Sequence, residues 1–308
     1  MGVQWRIVLY ATDKPIANNA SQIAFRRVKE LNKVLSDYDP ESELNQLCQL
    51  SGPGKPVKVS PDLFQVLKKS QSLSRETKGA FDVTISPVVR LWRRARRRKQ
   101  MPDNERLQTA RDLVGFQSMR LSERNQTVEL LKPGMRLDLG GIAKGYAADE
   151  ALKVLQDQGI NRIMIDASGD LVLGDPPPGN EGWKIGISSS DTPGAPIDRF
   201  LLLKNQAVAT SGDALQHVVI DGKRYSHIVN PQTGLGLTDQ SRVTVIAPNG
   251  ISADSLASAL SVLGPEKGMA LLNNKPGTAC LILRHEQGTL KSYASPCFSC
   301  YELKSNGE

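Results

Sequence analysis

No stretch of the 308-residue sequence approaches the roughly 18 consecutive apolar residues that a membrane-crossing helix requires. Its longest apolar runs, such as Phe200–Leu203 and Val243–Ala247, are strand-sized. Collagen and coiled-coil periods are missing, and there is no internal repeat of about 20–50 residues. Cysteine is scarce, with four in all. Cys48 and Cys280 stand alone, and Cys297 and Cys300 form a single C-x-x-C near the C-terminus. A structural zinc site usually needs two such pairs or a histidine pair, and a thioredoxin-type centre opens a helix near a βαβ unit. An accidental pair remains, or a local disulfide if the chain is exported. The first residues, MGVQWRIVLYATD, have neither a basic region nor an apolar core, so no signal peptide is expected within them. The phosphate-binding motifs are absent as well. Gly140–Gly145 lacks P-loop spacing, no strand leads into G-x-G-x-x-G, and neither Ser-Gly-Asp triplet has the flanks of a nucleophile elbow.

The apolar fraction is 39%. Counting glycine in place of tyrosine brings it to roughly 45%, ordinary for a folded soluble chain and too high for wholesale disorder. The length suits one large two-lobed domain or two domains, with a boundary near residue 160. The net charge of +7 is largely local: residues 90–99 (RLWRRARRRK) hold seven basic residues and no acid. Such a run can serve nucleic acid, anionic lipid or a phosphorylated ligand, or be simply a solvated helix face. No nucleic-acid motif accompanies it, and nucleic acid is not expected as a partner.

Hydrophobic spacing predicts a strand over 3–10, a helix over 20–35 and a polar turn at Ser36–Glu43. A helix over Pro61–Thr77 follows, with Ser60 as cap and Gly79 as terminator. Another helix follows Met101-Pro102-Asp103. Leu137–Leu139 reads as a strand leading into a helix from Ile142 to Gln158. The second half is richer in strands: Arg162–Ile165, Trp183–Ile187, Phe200–Leu203, His217–Ile220 and Arg242–Ala247. Helices over Ala253–Leu263 and Pro265–Leu272 flank Gly264, and Leu281–Arg284 with Thr289–Tyr293 makes a closing hairpin around Glu286-Gln287-Gly288.

Chemistry is concentrated in segments dense in glycine and small polar residues: FDVT at 81–84, DLGGIAKGYAAD at 138–149, SGD at 168–170 and 211–213, HIVNPQTG at 227–234 and ADSLAS at 253–258. Amides of Gly-rich loops entering helices favour phosphate groups. Asp254 and Ser258 are four apart and share one helix face, where they either complete a Mg²⁺ shell or serve as a capping Asp and a core-facing Ser. His227, one of three histidines, is a candidate base or a structural residue. His217 and His285 read as structural.

Taken in order, these segments resemble the ApbE family of flavin transferases (FAD:protein FMN transferases) along nearly the whole chain. The matching pieces are Met1-Gly2, LSDYDPESELNQLC at 35–48, GAFDVTISPVVRLW at 79–92, LDLGGIAKGYAADEA, SGD, RYSHIVNPQTG and VTVIAPNGISADSLASALSVLG. The chain departs from the family pattern at Ser168, where Gly is usual, and at Ser258, where Thr is usual; serine keeps the hydroxyl with a looser χ1.

The resemblance implies an α+β fold of two lobes, roughly 1–160 and 161–308, with largely antiparallel sheets flanked by helices and FAD in the cleft between them. It implies Mg²⁺-dependent transfer of FMN from FAD to a Thr or Ser hydroxyl of an acceptor protein, with release of AMP. An FAD pyrophosphatase giving FMN and AMP, and a non-catalytic FAD-binding protein, are the alternatives. By the same resemblance His227 is the base or an acceptor contact. Asp254, Ser258 and the Gly141 carbonyl hold the metal. Met1 and Tyr38 meet the flavin ring; Ala80, Phe81, Asp82, Asp138, Lys144 and Ile228 contact the nucleotide. Family members are commonly exported and membrane-anchored, and Met1 matches an interior family position, so membrane association is expected only through an N-terminal anchor outside this sequence. The basic run 93–99 lies outside every matched segment. Replacing its five arginines is therefore expected to leave turnover nearly unchanged.

Overall fold

The computed structural model describes residues 2–190, 194, 196–214, 216–286 and 288–303. Helices α1 (Lys14–Leu35), α2 (Glu43–Gln49), α3 (Pro61–Glu76), α4 (Ser86–Arg98) and α5 (Asn104–Asp112) precede α6 (Ala143–Asp157) and α7 (Gly250–Leu272). The strands are β1 (Trp5–Leu9), β2 (Val57–Lys58), β3 (Met119–Ser122), β4 (Thr127–Leu130), β5 (Ile163–Ala167), β6 (Asp170–Leu173) and β7 (Trp183–Ile187). They continue as β8 (Arg199–Leu203), β9 (Ala207–Gly212), β10 (His217–Ile220), β11 (Lys223–Ser226), β12 (Ser241–Ala247), β13 (Ala279–Glu286) and β14 (Thr289–Ala294). No helix among the described residues is long and apolar enough to cross a membrane.

The central sheet has the order β1-β5-β6-β9-β12-β13-β14, and each neighbouring pair is antiparallel. The expected α+β class with antiparallel sheets is the class observed. Period-two patterning explains the layers. Ile163, Ile165, Val243, Val245, Cys280 and Ile282 pack into the core shared with α1, α6 and α7. Ile246, Leu281 and Leu283 point the other way, onto Trp183, Ile185, Leu201 and Leu203 of the β7–β8 ribbon. A third core clasps α4 and α5 to the β10–β11 hairpin, through Val88, Trp92, Ala95, Leu107, Val218 and Tyr225. Trp92 is its anchor: its ring lies 5.1 Å from that of Tyr225, and its Nε1–H donates to the Gly234 carbonyl at 2.8 Å.

Several expectations are corrected. Helix α1 begins at Lys14 rather than near Ala20, because Asp13 caps Ile16 N–H and Pro15 sits in the first turn. The polar turn after α1 is present over 36–42, and an unexpected short helix, α2, capped by Ser42, follows it. Leu137–Leu139 is extended but unpaired in any sheet; Asp138 N–H donates instead to the Val83 carbonyl at 2.7 Å. The division near residue 160 does not follow the sheet, since β1 pairs with β5, Trp5 opposite Ala167. The break in α7 falls at Gly264 as expected, with φ +73°. Gln287, in the expected hairpin turn, lies outside the described residues.

Helices α6 and α7 touch backbone to backbone. A Cβ on Gly145 would lie 2.1 Å from the Gly250 carbonyl oxygen, and a Cβ on Gly250 would lie 2.5 Å from that of Gly145. Neither backbone can yield without separating the helices. Gly145→Ala should therefore cost about 3 kcal/mol, lowering the melting temperature by roughly 5 °C. A thermal melt indistinguishable from wild type would show that the contact is not tight.

Candidate active site

The N-termini of α6 and α7 meet at this crossing, and each helix carries a carboxylate that serves the other. Asp149, on α6, accepts from the N–H groups of Gly250 (2.6 Å) and Ile251 (2.9 Å) at the start of α7. Asp254, on α7, accepts from Gly145 N–H at 3.0 Å, supplying the cap that Ile142 lacks. Asp254 is buried. Burial pushes its pKa up to about 7, the charge of Asp170 adds to the rise, and Lys144 opposes it. Lys144 is salt-bridged to Asp170. Burial works against its ammonium, but Asp254 and Asp170 hold its pKa above the usual lysine value. The other Asp170 oxygen accepts from Thr210 N–H at 3.3 Å.

Ser258 follows one turn after Asp254, and its hydroxyl has no hydrogen-bond partner among the described residues. It faces the loop before α6: a Cβ on Gly141 would lie 2.6 Å from Ser258 Oγ and 3.6 Å from a Phe81 ring carbon. Only glycine lets this loop close on the helix. The side chains fit a hard cation: a desolvated carboxylate and an unpartnered hydroxyl one helical turn apart, both oxygen, beside the Gly141 loop. Among the described residues no three or more His, Cys, Asp or Glu gather as a metal-binding group. A cation here would keep water or phosphate in the rest of its shell, as Mg²⁺ does.

His227 follows β11. Its backbone N–H donates to the Gln216 carbonyl at 2.9 Å, and its ring Nδ1 lies 3.1 Å from the same oxygen. A carbonyl can only accept, so Nδ1 carries the proton and Nε2 keeps a free lone pair. Burial lowers the imidazole pKa, and the charge of Arg96 lowers it further, so the ring is neutral at pH 7. That is the state a general base needs. His217 is exposed on β10.

Among the residues expected at the nucleotide, Tyr38 is the most open, 76% exposed. The Arg93 guanidinium lies 4.5 Å from its ring centroid. Arg93 also pairs with Asp37 at 2.6 Å and with Asp138 at 3.0 Å. Asp138 accepts from Gly140 N–H at 2.8 Å, tying this cluster to the Gly141 loop. Burial and Asp37 raise the Asp138 pKa against the pull of Arg93. Ala80 and Phe81 are buried, Phe81 beside Gly141. Ile228 is half-buried next to His227. Asp82 differs from expectation. Its carboxylate is occupied by Thr84 N–H, Thr84 Oγ–H and Phe116 N–H, at 2.7–2.9 Å, which caps residues 83–85 and leaves little for a nucleotide. It borders a cleft of about 250 Å³ that also includes Gly79, Arg111 and Phe116. Met1 lies outside the described residues. Cys297 and Cys300 are exposed free thiols, not a disulfide.

The basic run is not the uniform solvated face expected of it. Arg94, Arg97, Arg98 and Lys99 are exposed, but Arg93 and Arg96 are half-buried. Arg93 braces Tyr38 and Asp138, and Arg96 bears on both Tyr38 and His227. Replacing all five arginines therefore removes part of the site, and the expectation of unchanged turnover is withdrawn. Arg93, Arg96, Asp37 and Asp170 are the residues that sequence reasoning left without a role.

The ApbE family model matches residues 1–282. An FAD:protein FMN transferase of Vibrio cholerae serotype O1 is 32% identical over 91% of this chain and 83% of its own length. That of Escherichia coli K12 is 27% identical over 98% of this chain and 87% of its own. Among solved structures, a histidine-to-glycine mutant of the Vibrio cholerae flavin transferase ApbE superposes with a TM-score of 0.86 at 30% identity. It covers 98% of this chain and 96% of that one. The ApbE protein of Thermotoga maritima gives 0.86 at 27% identity, covering 98% and 97% of the two chains. The chain belongs to the ApbE family.

Proposed function

We propose that this protein is a Mg²⁺-dependent FAD:protein FMN transferase that moves FMN from FAD to a Thr or Ser hydroxyl of an acceptor protein and releases AMP. The observation that carries the reading is the pairing of Asp254 and Ser258 with the Gly141 loop at two converging helix N-termini. The first-turn N–H groups of both helices are already capped within the protein, so what favours a pyrophosphate here is the pair of helix dipoles. Lys144 adds a fixed positive charge beside it. Asp254, Ser258 and the Gly141 carbonyl would hold the cation, which when bound supplies charge neutralisation at the phosphate oxygens.

The chain's own contribution to the chemistry is positioning and proton transfer. His227 Nε2 takes the proton of the acceptor hydroxyl. The hydroxyl oxygen forms a bond to the phosphorus on the FMN side, and the bond from that phosphorus to the bridging oxygen breaks. AMP leaves with the bridging oxygen, and His227 returns its proton to solvent. Tyr38 offers an exposed ring for the flavin to lie against, with Arg93 holding it in place. A passive FAD carrier would need neither the free Nε2 nor the unpartnered Ser258 hydroxyl. The direct test is to incubate the protein with FAD, Mg²⁺ and a peptide containing Ser or Thr and to weigh the products. A peptide heavier by one FMN, with AMP released in equal amount, is expected; FMN and AMP with unmodified peptide would make the protein a pyrophosphatase.

Asp254→Asn keeps an acceptor for Gly145 N–H but removes the charge. It should lower Mg²⁺-dependent transfer by on the order of 10²–10³. FAD affinity without metal should hold or rise, since a negative charge near the pyrophosphate has gone. Wild-type turnover at limiting Mg²⁺ would reduce Asp254 to a helix cap. His227→Ala should cost about 10²–10⁴ in rate, with FAD affinity little changed. Because the His227 pKa lies below the ordinary value, kcat/KM at saturating Mg²⁺, which would keep Asp254 ionised, should climb with rising pH and level off before neutrality. A rise centred above pH 7 would point to a different base.

A further inference from the structure

Helix α4 presents a half-buried cation that nothing in the fold neutralises. Arg96 makes no hydrogen bond or ion pair among the described residues, although it is partly withdrawn from water. Its neighbours are the like charges of Arg93 and Arg97, and it lies close enough to Tyr38 and His227 to act on both electrostatically. The other cations of the site are matched: Lys144 by Asp170, and Arg93 by Asp37 and Asp138. On the flavin-transfer reading the dianionic pyrophosphate of FAD sits with the cation at the α6–α7 crossing, where Asp254 already adds a negative charge. It is therefore not there to neutralise Arg96 on α4. Beyond Arg96, the exposed Arg94, Arg97, Arg98 and Lys99 extend the positive surface away from the site.

We propose that the α4 face centred on Arg96 is the docking surface for an acidic segment of the acceptor protein, whose carboxylate pairs with Arg96 while its hydroxyl reaches His227. The proposal rests on the flavin-transfer reading for the existence of an acceptor. An anion on Arg96 has a second consequence. The charged groups acting on His227 are Arg96 and Lys144, which lower its pKa, and Asp213, which raises it. Neutralising Arg96 strengthens the base only when the acceptor is seated, so docking and proton transfer are coupled.

The test uses the full chain loaded with FAD and two fluorescent peptides of equal length, each with one Thr. One carries Asp and Glu beside the Thr, the other Asn and Gln. Binding is measured by anisotropy with Mg²⁺ on copies of both peptides in which Val replaces the Thr, and transfer by mass spectrometry on the Thr peptides. The acidic peptide should bind about tenfold more tightly at low salt, an advantage that shrinks as salt is raised. Arg96→Gln should bring the advantage below about twofold and appear mainly in the peptide KM, Arg96→Lys should keep most of it, and the FAD dissociation constant should stay the same in both. Arg96 has no partner to lose and its unmatched charge costs stability, so Arg96→Gln should melt no lower than the wild type and Arg96→Lys close to it. Equal binding of the two peptides by wild type overturns the proposal, as does an undiminished preference in Arg96→Gln. A fall in FAD affinity in Arg96→Gln would instead assign the arginine to the nucleotide. Loss of binding to RNA or to anionic vesicles, with the peptide preference intact, would assign the face to those partners and also overturns it. Preferential binding without transfer to either peptide would sink the transferase reading and leave the docking surface standing.

Discussion

Two helices can approach backbone to backbone only where neither carries a side chain, and the Gly145–Gly250 contact is such a place. Bringing two N-termini together concentrates unpaired N–H groups and the positive ends of two dipoles in one spot. The fold answers with Asp149 and Asp254, each reaching across to cap the opposite helix. A cap of this kind contributes about 1 kcal/mol, so stability alone can account for both carboxylates. What distinguishes Asp254 is the company it keeps. Asp149 finds two backbone donors, whereas Asp254 sits beside a second carboxylate, a half-buried lysine and an unpartnered serine hydroxyl. The same packing constraint that closes the core therefore places an electron-rich, desolvated oxygen at the mouth of two helices.

A second constraint sets where the remaining groups stand. Trp92 is buried between α4, the β10–β11 hairpin and the turn at Gly234. His227 lies on the loop that this anchor fixes, and Arg93 and Arg96 lie on the helix that bears it. Loosening Trp92 would thus move the base and the two arginines relative to each other. The β-sheet contributes from the opposite side. Asp170 opens β6 beside Lys144, and Thr210 of β9 holds it there.

Where local chemistry decided the structure, the sequence was readable. Ser60-Pro61 and Asp103 mark helix starts because a short polar side chain caps better there than in a helix interior. Gly264 breaks α7 because its φ of +73° suits glycine. The start of α1 carried the same signal in Asp13 and Pro15, masked by the scarcity of apolar residues in its first turns. Leu137–Leu139 was misread for a deeper reason: an apolar run shows that a segment is buried, not that it has a strand to pair with. The cluster at Gly141, Asp254 and Ser258 was found through the ordered segments; spacing alone favoured a helix cap. Asp82 shows the opposite failure, since nothing in its sequence says that Thr84 and Phe116 occupy its oxygens.

Arg93 and Arg96 were hidden in plain view. Val88, Trp92 and Ala95 form a buried stripe at helical spacing, and Arg93 and Arg96 flank it while Arg94, Arg97 and Arg98 point to water. Counting charge over the run treats these five as equal. Placing them around the helix separates a braced arginine, an unmatched half-buried one and three solvated ones. The one lysine of the motif-bearing part of the site, Lys144, has its carboxylate partner in Asp170. The imbalance falls on α4, outside the matched segments, where recognition of one particular acceptor can differ without disturbing the phosphate chemistry. An uncompensated charge in a half-buried place costs stability in the free protein, and the cost is recovered only when the partner that carries the opposite charge arrives.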